Sequence, residues 1–271
     1  MSKEGSSFKD ALQNVFATGA ILIAFIVAYI LYTQIMGNPV NFEGGNPEGA
    51  ALPGNYLGIV YKGGFIVPLL MAVNLILITF VIERYIMLWR AKGKGNLTSF
   101  IRRMQVLLNE DKIEEAVKLC DKQRGSLANV MRAGLHRYRD LQADKTLQND
   151  QKVLALQKDL EEATALELPV LSQNLVIMST IASISVLIGL IGTVLGMIRA
   201  FGALATAGAP DALALATGIS EALVNTAFGI TGSTISIIFY NYYSTRIDSM
   251  TFKIDEASFS LTQTFASTLK K

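Results

Sequence analysis

A glycine-spaced run, Gly189-Leu190-Ile191-Gly192-Thr193-Val194-Leu195-Gly196-Met197, is followed a short loop later by Ile219-Ser220-Glu221-Ala222-Leu223-Val224-Asn225-Thr226-Ala227. Hydroxyls, those of Thr193 and Thr226 among them, and one carboxylate thus stand in segments otherwise apolar enough to lie in a membrane. Polar side chains at bilayer depth cost free energy unless they face a bundle interior or a water-filled path. The chemistry open to Thr193, Thr226 and Glu221 is therefore ion movement, along a polar track for water and protons. A second reading competes with it. In that reading Thr193 and Thr226 satisfy helix carbonyls, and Arg199 snorkels or pairs with Glu221. Gly192 and Gly196 form a small-xxx-small pattern, and with Gly189 they serve as packing residues under both readings.

These residues need long apolar helices to carry them. The chain is 51% hydrophobic, with a mean hydropathy of +0.38. Four stretches, 15–36, 65–89, 175–204 and 212–240, meet the roughly 20 residues that a helix needs to cross the hydrocarbon core. The last two are joined by a tight loop at 207–211 and form an antiparallel hairpin. At 1.5 Å per residue, Thr193 and Thr226 each lie about 25 Å of helix from Pro210, which places the two hydroxyls at similar depth. Glu221 is about one and a half turns nearer the loop than Thr226, and Arg199 falls near the depth of Glu221.

Basic residues set the orientation. Of 24 Lys and Arg, Lys62 alone lies between the first two stretches, none lies between the last two, and 92–158 contributes 14. Both ends are expected in the cytoplasm, with 37–64, rich in Gly, Asn and Pro, as an extracytoplasmic coil. Lys3 and Lys9 precede the first stretch in the manner of a signal peptide. That stretch is longer than an h-region and lacks a small-x-small cleavage pattern, so it reads as an uncleaved anchor.

Between 91 and 173 the chain is charged, and Phe100, Ile101, Met104, Leu107 and Leu108 recur at helical spacing. This segment reads as a helical insert. Glu114, Glu115, Asp121, Glu161 and Glu162 are interleaved with Lys and Arg as a solvated face with i,i+4 pairs. Pro169 predicts a kink or restart before the third span. Cys120 and His136 are the sole residues of their types, which removes internal disulfides, zinc clusters and Cys-His or Ser-His-Asp nucleophiles. Cys120 falls on an apolar stripe with Ile113, Ala116 and Val117 and reads as buried, while His136 reads as a surface residue. No Walker loop or dinucleotide fingerprint occurs. The expectation is a protein that is not an enzyme, holds no metal or cofactor and binds no nucleic acid. Five regions follow: 1–64 with the first span and loop, 65–90 as the second span, 91–172 as the cytoplasmic helical region, 173–243 as the hairpin and 244–271 as a cytoplasmic tail.

Gly-Leu-Ile-Gly-Thr-Val-Leu-Gly-Met-Ile-x-Ala-Phe from residue 189, Gly-Ile-x-Glu-Ala-Leu-x-x-Thr-Ala-x-Gly-Ile from residue 218 and Tyr240-Asn241 together resemble the ExbB/TolQ/MotA proton-channel family, and within it most closely ExbB. Glu83-Arg84 at the end of the second span is similar to that family's first helix. The resemblance covers roughly 65–243. It implies a subunit with long helices extending into the cytoplasm and a pentameric assembly, which with the four apolar stretches makes an all-α polytopic membrane protein with four transmembrane helices. It places Thr193, Thr226 and Glu221 on a proton pathway; Arg199 stays, from the residues alone, a candidate charge partner of Glu221. It also implies a single-span ExbD-like partner carrying a membrane aspartate, and a TonB-like protein that receives the work.

Some positions depart from the family pattern. Val186 and Ile235 stand where prolines are common, and the extra amino-terminal span is atypical of the short ExbB form. A Tol-type or gliding-type stator stays open for that reason. A non-channel scaffold would show no proton dependence. A solute transporter would show a repeat with broken helices, which spans one and two do not supply by echoing three and four.

Overall fold

The computed structural model describes residues 18–205 and 211–269, so residues 15–17 of the first expected span, Lys3, Lys9 and most of the hairpin loop lie outside the described residues. The regular elements among the described residues are helical, with one isolated antiparallel bridge between Phe42 and Ala51. They are α1 (Thr18–Met36), whose last turns Leu31–Met36 widen into a π-helix, α2 (Tyr56–Tyr61), α3 (Ile66–Lys92), α4 (Leu97–Asn109), α5 (Ile113–Gln123), α6 (Ser126–Ala143), α7 (Asn149–Ser172), α8 (Leu175–Ala205) and α9 (Ala212–Thr268). Apolar stretches in α1, α3, α8 and α9 are long enough to cross a membrane, and they coincide with the four expected spans. The chain is an all-α multi-pass membrane protein. α9 runs for 57 residues, more than twice the roughly 20 that a crossing requires.

Two compact units divide the chain, Met1–Ile82 with Val176–Tyr240 and Glu83–Leu175 with Asn241–Lys271. In the first, Ala28 of α1 and Val67, Met71 and Ala72 of α3 form a buried cluster covered by Leu31, Tyr32, Val224 and Phe228. The expected coil at 37–64 is more ordered than its Gly, Asn and Pro content suggests. Its asparagines act as caps, because Asn41 Nδ2 donates to the carbonyls of Ile35 and Met36 and Asn55 Oδ1 accepts from the backbone of Leu57 and Gly58 at the start of α2. Tyr61 then stacks on Tyr32 with ring centroids 4.7 Å apart, which pins the segment to α1.

The second unit is an amphipathic helical assembly. α4 begins at its cap Asn96 and buries Leu97, Phe100, Ile101, Met104 and Leu108, the face that the sequence periodicity marks, while Leu107 is half-buried. Cys120 is buried, and burial pushes its thiol up to about 12. His136 is exposed. Glu114, Glu115, Asp121, Glu161 and Glu162 are all exposed, as a solvated face requires, but two of them pair between helices: Glu114 with Arg139 at 3.2 Å and Asp121 with Arg132 at 3.4 Å. Glu161 keeps a local i,i+4 partner in Gln157. Pro169 does not itself break its helix. α7 continues to Ser172, and the restart comes at Leu175, after Asn174 takes a left-handed φ of 61°. Near this break Arg84, fully buried, gives a bidentate pair to Glu83 at 2.6 and 2.7 Å and donates to the Leu171 carbonyl.

Candidate functional site

The hairpin of α8 and α9 is held at short range by glycine. An added Cβ at Gly196 would stand 2.7 Å from Ala222 N and from Gly218 O, and one at Gly192 would stand 2.5 Å from Asn225 Cβ. Neither helix could come this close with side chains at those positions. Serines complete the seam: Ser233 donates to the Ala182 carbonyl at 2.6 Å and Ser236 to that of Met178 at 2.5 Å. Gly189, Gly192 and Gly196 thus sit at the packing interface expected of them.

This close approach brings Thr193 and Thr226 into mutual hydrogen-bond contact. Thr193 Oγ1 also lies 3.1 Å from the Gly189 carbonyl oxygen, and Thr226 Oγ1 lies 3.0 Å from that of Ala222. Each hydroxyl has one proton to donate. When Thr193 bonds its helix carbonyl, Thr226 can donate to Thr193. When Thr226 bonds the carbonyl of Ala222, the direction reverses. Both arrangements use the same heavy-atom positions, so the pair can hand its hydrogen bond from one hydroxyl to the other, which a proton relay requires. The two sequence readings of the threonines are thus compatible. The same hydroxyls satisfy helix carbonyls and face each other.

Glu221 is placed differently. It is 2% exposed, and both its carboxylate oxygens accept from Arg199 Nη1 at 2.7 Å. The Arg199 side chain remains 54% exposed and stands over the Phe65 ring, 5.9 Å from its centroid. The geometry therefore joins Glu221 to Arg199, as the pairing reading anticipates, with the carboxylate about one and a half turns along α9 from Thr226. Gly64, at φ +76°, lets the chain entering α3 pass against Glu221, where a Cβ would collide with Oε1. An open cavity of about 500 Å3 adjoins the ion pair, lined by Tyr32, Lys62, Gly64, Asp211 and Thr217 among others. Burial in this region depresses the Lys62 ammonium below the usual lysine range, and Glu48 opposes that shift.

One residue of this site had no role in the sequence reading. Asn225, fully buried beside Thr226, donates from Nδ2 to the Gly63 carbonyl at 2.9 Å, and its Oδ1 has no hydrogen-bond partner. It fastens the loop before α3 to the helix that carries both Glu221 and Thr226. The signal was an amide in an apolar stretch next to a hydroxyl already singled out. Among the described residues no group of His, Cys, Asp and Glu could hold a metal ion.

Residues 122–256, about half of the chain, match the MotA/TolQ/ExbB proton channel family. The chain is 40% identical over 86 residues to an ExbB-like biopolymer transport protein of Synechocystis, covering 31% of this chain and 41% of that protein. It is 30% identical over 121 residues to the Tol-Pal system protein TolQ of Pseudomonas aeruginosa, covering 45% and 52%. It is 35% identical over 72 residues to the biopolymer transport protein ExbB of Salmonella typhimurium, covering 27% and 30%. The match thus spans between about a third and a half of these relatives' own lengths. The matched region takes in all of α8 and residues 212–256 of α9, with the threonine pair, and the chain belongs to the MotA/TolQ/ExbB proton channel family.

Proposed function

We propose that this chain is the proton-channel and stator subunit of an ExbB-ExbD-like motor in a bacterial inner membrane, which uses the proton-motive force to energise TonB-dependent outer-membrane transport. The observation that carries this reading is the reversible hydrogen-bonded pair of Thr193 and Thr226 between two membrane-spanning helices. Glu221 lies on the same path but is bound to Arg199, so it sets the local field more than it carries the proton. Among the described residues of the hairpin, Asp211 is exposed at the start of α9 and Glu221 is in its ion pair, which leaves no unpaired carboxylate beside the hydroxyls. A single-span partner with a membrane aspartate would supply it. Several copies of this chain, five by the family resemblance, would surround such partners, with both termini in the cytoplasm. A Tol-type output is the second reading, favoured by the match to the Pseudomonas aeruginosa TolQ over 45% of this chain.

Mass spectrometry of everything that copurifies with the protein, mildly solubilised from its own host, tests this function. A small single-span protein with a membrane aspartate together with a TonB-like protein is the expected result. Recovery of Tol or motility components would replace the output and retain the channel. Recovery of the chain with no such partner would overturn the motor.

A further inference from the structure

On the second unit, the last turns of α3 and the 242–253 stretch of α9 enclose a cavity of about 260 Å3. Lys92, Arg246 and Lys253 line it, and no acidic residue does. None of these three cations forms an ion pair among the described residues. Arg246 stands 5.3 Å from the centroid of the Tyr242 ring, a contact that fixes the guanidinium without neutralising it. Three convergent cations without a counter-charge call for an anion.

The helix that forms one wall says where that anion comes from. Ile78, Ile82, Tyr85, Trp89 and Lys92 follow one another at spacings of three and four, so they share one face of α3, and all five are exposed. Along that face the order is aliphatic, then aromatic, then basic. A bilayer leaflet presents the same order as hydrocarbon, glycerol-ester region and headgroup, and Trp and Tyr collect at the middle level. A phosphate free in water would have no use for the aliphatic and aromatic part of this face.

We propose that this cavity binds the phosphate-bearing headgroup of an anionic phospholipid, with Lys92, Arg246 and Lys253 on the phosphate and Tyr85 and Trp89 against the upper acyl chains. The inference depends on α3 crossing the membrane and not on any motor output. Each basic residue near a membrane surface is worth about five-fold in affinity for anionic lipid.

Trp89 is the only tryptophan in the chain, which makes its fluorescence a reporter of this cavity alone. The full chain is reconstituted in phosphatidylcholine vesicles carrying the same low mole fraction of brominated phosphatidylglycerol or brominated phosphatidylcholine. Stronger quenching by the phosphatidylglycerol is expected. The preference should fall about five-fold in Arg246→Gln and vanish in the triple variant Lys92→Gln, Arg246→Gln, Lys253→Gln, while Arg246→Lys keeps most of it. Equal quenching by the two lipids in the wild type would overturn the proposal, as would a preference that survives the triple variant. Loss of the preference on adding millimolar inorganic phosphate at constant ionic strength would assign the cavity to a free anion and overturn the lipid. Should the triple variant fail to reconstitute, Arg246→Gln and Arg246→Lys, single changes at an exposed position, decide the matter between them.

Discussion

Gly196→Ala and Gly202→Ala make the same chemical change on the same helix, and the structure assigns them opposite signs. A Cβ at Gly196 would stand 2.7 Å from both Ala222 N and Gly218 O, whereas one at Gly202 would meet no described atom within 4 Å. Ordinary contact needs the α8 and α9 backbones about 1 Å further apart at Gly196, and because both obstacles are backbone no rotamer change can absorb the clash. Overpacking of this kind costs about 1–3 kcal/mol, and the higher helix propensity of alanine returns about 1 kcal/mol. With both contacts on backbone the cost lies at the upper end, so Gly196→Ala should lose about 2 kcal/mol. Gly202→Ala, with the propensity gain alone, should gain up to about 1 kcal/mol. Thr193 lies one turn from Gly196 and Thr226 one turn from Ala222, so the separation also stretches the hydroxyl contact. Thermal unfolding of the two purified variants in detergent reads the stability difference, and energised uptake in cells reads the stretch. Melting shifts of equal size and sign would refute the close-approach account of this hairpin.

Asn225→Ala removes the donor to the Gly63 carbonyl and should cost about 1–3 kcal/mol, with faster amide exchange in α2 and the 62–65 turn; unchanged exchange there would show that the loop is held by other contacts. In a double-mutant cycle, Glu221→Gln and Arg199→Gln should couple by about 1 kcal/mol, because Glu221 is buried while most of Arg199 stays in solvent. Additive melting shifts would dissolve the pair. Cys120 has its thiol raised by burial, so the folded state favours the protonated form. That contribution is complete below the unfolded thiol's range near pH 9 and is lost as pH rises toward about 12. A thiol reagent at pH 8 should therefore leave native protein unmodified and label it on unfolding, and rapid native labelling would contradict the burial.

Residues whose role is written in local pattern were legible in the sequence. The four apolar runs, the buried α4 stripe, Cys120, His136 and the glycine seam all follow from spacing and side-chain type. Equal distance from the hairpin loop was enough to anticipate that Thr193 and Thr226 sit at one depth. What was not legible depends on contacts distant in sequence. Asn225 and Gly63 are 162 residues apart, and nothing in either neighbourhood announces their bond. The order within 37–64 comes from Asn41 and Asn55 capping helix ends, where the same amide-rich composition also describes coil. The restart after α7 falls at Asn174 and not at Pro169: the helix carries the proline through its last turn, forgoing the one bond that a residue-169 N–H would give to the Ala165 carbonyl, and ends where Asn174 takes its left-handed φ. Glu114 and Asp121 chose partners on another helix, a choice that tertiary packing makes.

Proton conduction by the complex purified from its own host, reconstituted in vesicles with an imposed pH gradient, tests the central claim most directly. Thr226→Val keeps the shape of the side chain and removes the hydroxyl. The account predicts that the variant complex assembles with the same partners and melts within a few degrees of wild type, yet conducts at background. An assembled Thr226→Val complex that conducts at the wild-type rate would contradict it.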